Sequence, residues 1–169
     1  GMQYENSYAT QDDYNKAMEI ISRHKENIIY HSFLPNNEVL ELLLKSDVAL
    51  LPSYRETYGY SILEAQASGC PVITTDILAF GEINNNDLGW MINVPMDEMK
   101  RSLINSKEER EKFSAAIVEG LEKHICTILN NPAEVKTKAI AAMEKIKIQH
   151  NPEKVVEQLE QIYNLALEN

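Results

Sequence analysis

Two carboxylates, Glu56 and Glu64, stand eight positions apart around Gly59 in the run Lys45–Asp76, K-S-D-V-A-L-L-P-S-Y-R-E-T-Y-G-Y-S-I-L-E-A-Q-A-S-G-C-P-V-I-T-T-D. Gly59 permits close backbone approach, and the amides of Tyr58 to Ser61 would then be the unpaired donors of a helix N-terminus, a ready anion site. Two glutamates beside such a site would repel a bare phosphate, so each must reach past the anion to something with hydroxyls. A nucleotide sugar supplies both, with ribose on one side of the diphosphate and a hexose on the other.

The elements that must hold these residues follow from the same run. Val48 to Leu51 is a short apolar stretch stopped by Pro52-Ser53, Ile62 to Ser68 is a compact segment closed by Gly69, and Pro71 opens the β-branched stretch Val72 to Thr75. This predicts strand, loop, helix, turn and strand, a parallel βαβ unit. Val48 to Leu51 lacks alternation, which predicts burial on both faces. The loop after its first strand is where open parallel sheets take their ligands.

Before this unit, Tyr14, Ala17, Met18 and Ile21 repeat at three and four, predicting an amphipathic helix capped by Asp12 or Asp13 and ended by Asn27. Ile28 to Ser32 is β-branched and aromatic, predicting a strand. A helix starting at Pro35-Asn36-Asn37 should lay Val39, Leu40, Leu42, Leu43 and Leu44 against the sheet. After it, Asn84 to Asp87 reads as a turn and Gly89 to Ile92 as a last short strand. Beyond Pro95 the pattern is helical nearly throughout: Lys107 to Leu129, about Ala133 to Ile146, and a last helix from Asn151-Pro152 with Val155, Val156, Leu159, Ile162, Tyr163 and Leu165 on its buried side.

Glu56 and Glu64, with P-S before them and E-A-x-A-x-G-x-P-V-I after, resemble the E-x7-E motif of retaining glycosyltransferases of family 4. The resemblance extends to Asn27–Phe33, Pro35–Asp47, Gly89–Ile92 and Ile148–Leu165. It implies a Rossmann-like parallel sheet flanked by helices, part of the C-terminal donor-binding domain of a two-domain GT-B fold, with a helical tail. Residues 1–169 would form a single domain of that kind. The family's acceptor domain and its first two strands, which carry an Arg/Lys diphosphate clamp, resemble nothing here. In the doubly wound order those strands are central, so the resemblance implies that Ile28–Ser32 pairs with Val48–Leu51 in an altered sheet, or that another chain fills the gap by dimerisation or strand exchange.

The resemblance implies that this chain is the donor-binding portion of an enzyme moving a hexose from a nucleotide diphosphate sugar to an unknown acceptor. No metal or other cofactor is expected. Glu56 would lie against the donor sugar as the catalytic carboxylate, and Glu64 would bind the ribose hydroxyls; the alternative for Glu64 is a solvated helix carboxylate. Thr57, Tyr58, Gly59, Tyr60 and Ser61 would act through backbone amides. Arg55 could offset diphosphate charge or form a surface pair, and Glu82 resembles a further family glutamate or is a solvated loop residue. Tyr54, Tyr58 and Tyr60 could flank a sugar, but a core or rim role is the plainer reading. By itself, without the acceptor site and the clamp, the chain is expected to be inactive as that enzyme; a different class also fits, a non-catalytic module serving as scaffold or nucleotide-sugar sensor.

Composition narrows the partners. With 16 basic against 26 acidic residues and a net charge of −10, the chain is unsuited to nucleic acid or acidic lipid. It has no apolar run long enough to span a membrane, and no secretory signal pattern, so a cytoplasmic setting is expected. Cys70 and Cys126 make no disulfide framework, Cys70 reading as a packed small thiol. His24, His31, His124 and His150 are isolated, without metal-ligand spacing.

Overall fold

A computed structural model describes residues 10–167. The described chain divides into two compact units, with the boundary between Val39 and Leu40. In the first, α1 spans Gln11–Arg23 and its N-cap is Thr10, not Asp12 or Asp13. The Thr10 hydroxyl accepts from the Asp13 amide (3.2 Å) while the Asp13 carboxylate accepts from the Thr10 amide (2.9 Å), a reciprocal capping box. Asp13 acts from inside the first turn, because the threonine three residues before it is an equally good cap.

None of α1 is buried, and the predicted strand Ile28–Ser32 does not form. Ile29 is 84% exposed and Phe33 80%. β-branched residues favour extended backbone, but a strand exists only against a ladder partner. α2, Asn36–Leu43, carries the division between the units. It too departs from expectation: Val39, Leu40 and Leu43 are half-buried, whereas Leu42 and Leu44 are exposed.

The second unit holds a sheet of β1 (Ala49–Leu51), β2 (Val72–Thr75) and β3 (Trp90–Ile92), in that order and all parallel. The register pairs Leu50 with Ile73, and Ile73 with Trp90. β2, in the middle, is buried throughout. β1 is not: Leu50 is 51% exposed, because β1 lies at the sheet's edge and only one of its faces is covered. An unbroken apolar run specifies an apolar strand but not how many sides are packed.

Helix α3, Tyr60–Ala67, crosses from β1 to β2, and the short α4, Phe80–Ile83, leads toward β3. Ile62, Ile73, Ile77, Phe80, Ile92, Ile104 and Phe113 are fully or almost fully buried and make the core. α5, Lys107–Asn130, contributes Phe113 and Ile117 to it. The mid-helix Gly120 has a packing reason: a Cβ there would meet Ile92 Cγ2 at 2.4 Å, so only glycine lets α5 lie this close to β3. His124 on the same helix has a structural role, its Nε2 lying 3.0 Å from the Met91 carbonyl oxygen.

α5 begins at Lys107 as expected, after the Ser106 cap, and residues 95–106 before it form a loop closed by a Met96–Ser102 bridge. One expectation for the C-terminal half is corrected. Following α6, Ala133–Gln149, the helix α7, Pro152–Leu167, buries no residue. Its expected buried side, from Val155 to Leu165, is exposed: Val155 44%, Val156 52%, Leu159 46%, Ile162 60%, Tyr163 65% and Leu165 62%. Helical periodicity defines an apolar stripe without defining its cover.

Candidate functional site

The loop leaving β1 is held from three directions. Thr75 at the end of β2 donates its hydroxyl to the Ser53 carbonyl (2.8 Å), and Ser102 donates to the Tyr54 carbonyl (2.5 Å). The Tyr54 hydroxyl lies 2.7 Å from Ser114 Oγ on α5, and its ring packs against Phe113 with centroids 4.9 Å apart. Tyr54 is therefore an anchor, in keeping with its rim reading. The loop it fixes delivers Arg55, Glu56 and Thr57 beyond the carboxyl end of β1.

Glu56 is half-buried, and its Oε1 accepts from the Thr57 amide at 2.8 Å. Gly59 follows as the N-cap of α3 in the left-handed region, φ 95° and ψ 43°. Its missing side chain is required by packing as much as by conformation. A Cβ would meet Phe80 Cε1 at 2.8 Å and Ile83 Cδ1 at 2.9 Å, so α4 closes directly over the glycine. The helical ladder begins with the Ile62 amide bonding the Gly59 carbonyl (2.9 Å), which leaves the Tyr60 and Ser61 amides ahead of it. Tyr58 and Tyr60 are exposed, their rings in tilted contact at 49° with centroids 5.1 Å apart.

Two adjoining clefts open here, of about 570 and 650 Å³, and both are walled by Glu56, Thr57 and Leu78. The first adds Arg55, Arg101 and Ser102; the second adds Glu82, Lys100 and others. The structure thus gathers Arg55, Glu56 and Thr57 in one place. Tyr58, Gly59, Tyr60, Ser61 and Glu64 line neither cleft. Glu64 is half-buried one turn into α3, where its backbone carbonyl accepts from the Ser68 hydroxyl at 2.8 Å.

Several cleft residues escaped the sequence reading. Leu78 and Lys100 both have positive φ, 44° and 57°, and are joined by the Leu78 amide donating to the Lys100 carbonyl (3.0 Å). A left-handed leucine costs about 1–2 kcal/mol, so the fold spends stability to put this side chain in both clefts. The 95–102 loop is built on Asp97, whose Oδ1 accepts from the Met99 and Arg101 amides (both 2.9 Å) and whose Oδ2 accepts from Arg101 Nε (2.7 Å). The Arg101 amide, then the rest of this set, holds the Asp97 carboxyl below its ordinary range. An aspartate followed by polar residues was the available signal, since its side chain readily closes such turns.

Behind the clefts, α4 is secured by buried polar groups. Gln66 Nε2 donates to the Ile83 carbonyl (3.0 Å) and lies 3.3 Å from Asn84 Oδ1; Asn84 Nδ2 donates to the Val72 carbonyl and Thr74 Oγ1, both at 3.1 Å. Lys145 of α6 donates to the carbonyls of Glu82 (2.7 Å) and Ile83 (3.3 Å), and burial lowers its pKa. Lys138 donates to the Asn86 carbonyl and stands 5.2 Å above the Trp90 ring. Among the described residues, no group of three or more His, Cys, Asp or Glu side chains is placed to hold a metal, and no helix is long and apolar enough to cross a membrane.

The family profile described as "Glycosyl transferases group 1" matches residues 19–124, well over half of the chain and all three strands. The chain belongs to the group 1 glycosyl transferases. A glycogen synthase of Mycobacterium tuberculosis is 29% identical over 133 residues, covering 79% of this chain and 27% of that protein. The lipopolysaccharide glucosyltransferase WaaG of Escherichia coli is 35% identical over 69 residues, 40% of this chain and 18% of that protein. The chain has the Rossmann-like parallel α/β arrangement of GT-B glycosyltransferases. The solved sucrose-phosphate synthase of Thermosynechococcus elongatus superposes with a TM-score of 0.65 over 93% of this chain and 35% of that one, at 19% identity, a likeness of fold alone. The chain therefore spans 27% and 18% of the length of these two curated relatives.

Proposed function

We propose that this chain is the donor-binding portion of a retaining glycosyltransferase that moves a hexose from a nucleotide diphosphate sugar to a separate acceptor. The observation that carries the reading is the position of Glu56: a half-buried carboxylate beyond β1, common to both clefts, in a chain of the group 1 family. Its Oε1 is oriented by the Thr57 amide, which leaves Oε2 to accept from a sugar hydroxyl. The Tyr60 and Ser61 amides at the positive end of α3 supply donors for the diphosphate. Catalysis in this arrangement is electrostatic, with fixed donors aimed at the leaving diphosphate as charge develops on it. Glu64 is assigned to the ribose hydroxyls, one turn along α3 from those amides.

Calorimetric titration of the 169-residue chain with UDP-, GDP- and ADP-hexoses tests this. One nucleotide sugar should bind, and Glu56→Ala or Glu64→Gln should weaken it about tenfold or more, the cost of one hydrogen bond to a charged group. Equal affinity in wild type and both variants would remove the assignment.

A further inference from the structure

The cleft that holds Glu56 has a basic lobe, and of its two arginines only Arg55 figures in the donor reading. Arg55 and Arg101 both line it, together with Thr57 and Ser102, in a chain whose net charge is −10. The two arginines reach it from distant parts of the chain: Arg55 from the loop after β1, Arg101 from the loop after β3. The hydrogen bond from Ser102 Oγ to the Tyr54 carbonyl, 2.5 Å, ties those loops together beside them.

Arg101 is held in a defined pose. Its amide and its Nε both bond the Asp97 carboxylate, at 2.9 and 2.7 Å, so one edge of the guanidinium is fixed. Its two Nη atoms have no partner among the described residues, and their donors form the flat fork that suits an oxyanion. Asp97 cancels part of the charge but does not line the lobe; the groups that do are two arginines and one glutamate. Thr57 adds a hydroxyl that can donate to the same oxyanion, while the single Ser102 hydroxyl proton is committed to the Tyr54 carbonyl. The structure assigns this lobe, on Arg101 with Arg55, as a binding subsite for a phosphate oxyanion placed next to Glu56.

This inference rests on the donor reading for its biological setting but not for its test. A phosphate at this place has two sources: the diphosphate of the donor, or a phosphate monoester carried by a sugar. Inorganic pyrophosphate and glucose 6-phosphate stand for the two, with glucose as the uncharged control. The measurement is calorimetric titration of the full chain with each, in wild type, Arg101→Gln and Asp97→Asn. Wild type should bind one of the two anions and not glucose, more weakly as salt rises. Arg101→Gln should reduce that binding about tenfold. Asp97→Asn keeps the two amide bonds to Oδ1 but frees the guanidinium from its carboxylate, so it should tighten binding. Far-ultraviolet circular dichroism of both variants verifies that the fold is retained.

Binding of pyrophosphate identifies the donor's diphosphate, and binding of glucose 6-phosphate identifies a sugar monoester; either result, lost with Arg101→Gln, supports the subsite. Binding of neither anion by folded wild type, or binding indifferent to Arg101, overturns it. Either failure leaves the donor assignment standing if a nucleotide hexose still binds through Glu56.

Discussion

Single residues near the clefts serve shape before chemistry. Gly59 reads in sequence as a place for ligand approach, yet in the fold its hydrogen is what Phe80 and Ile83 press against. Asn84 sits in a run of four polar residues that resembles a solvated turn, and is completely buried. Its amide ties the β2 backbone to Gln66 of α3, so that a network of side chains closes the space behind α4. Cys70, at the turn into β2, is completely buried too. Burial, and secondarily the charge of Asp47, raises its thiol pKa from 9.0 to about 11. A buried thiol that resists ionisation stabilises the fold at pH below the unfolded value of 9.0 and loses that contribution as pH rises toward about 11. Unfolding in urea, followed between pH 8 and 11, should therefore show stability falling by at most about 1.4 kcal/mol per pH unit from this group. Cys70→Ala should remove that part of the slope; an unchanged slope would mean that Cys70 does not titrate as buried.

Elements differ in how far their sequence declares them. β2 and β3 form where Gly, Pro and Asn bracket an apolar run, α5 forms between the Ser106 cap and Asn131-Pro132, and the βαβ unit stands as read. The misreadings share one cause: pattern reports the chemistry of a face but not its neighbour. Ile28–Ser32 has the composition of a strand without a ladder, Leu50 is an apolar residue on an exposed face, and α7 has an apolar stripe that stays exposed among the described residues. The cleft was legible by half. Arg55, Glu56 and Thr57 lie in the motif itself, whereas Leu78, Lys100 and Arg101 come into it through tertiary contacts and left-handed backbone that no periodicity signals. The exposure of α7 has a measurable consequence. Removing residues 152–169 takes away no buried side chain within the described part of the helix, so thermal unfolding should shift by no more than about 3 °C, the effect of under about 1 kcal/mol. A loss of 10 °C or more in differential scanning calorimetry would show that α7 packs onto the unit after all.

At the scale of the whole molecule, the sheet is asymmetric. β2 is enclosed by neighbours on either side, while β1 has β2 along one edge and, among the described strands, nothing along the other. Its three residues leave backbone donors and acceptors available there, and Leu50 stands 51% exposed on the same strand. Edges of this kind recruit a further strand unless charge or a covering segment blunts them. A second copy of the chain supplies the backbone groups that such an edge pairs with. We therefore expect concentration-dependent dimers by sedimentation equilibrium. In a symmetric pair formed through this edge, each Leu50 lies close to its own equivalent, so that Leu50→Lys sets two like charges near each other and should weaken association about tenfold or more. A wild-type chain that stays strictly monomeric at high concentration would remove self-pairing as the role of this edge, and a Leu50→Lys chain that dimerises as before would move the interface elsewhere, to the uncovered apolar stripe of α7 or the exposed side chains of Ile29 and Phe33.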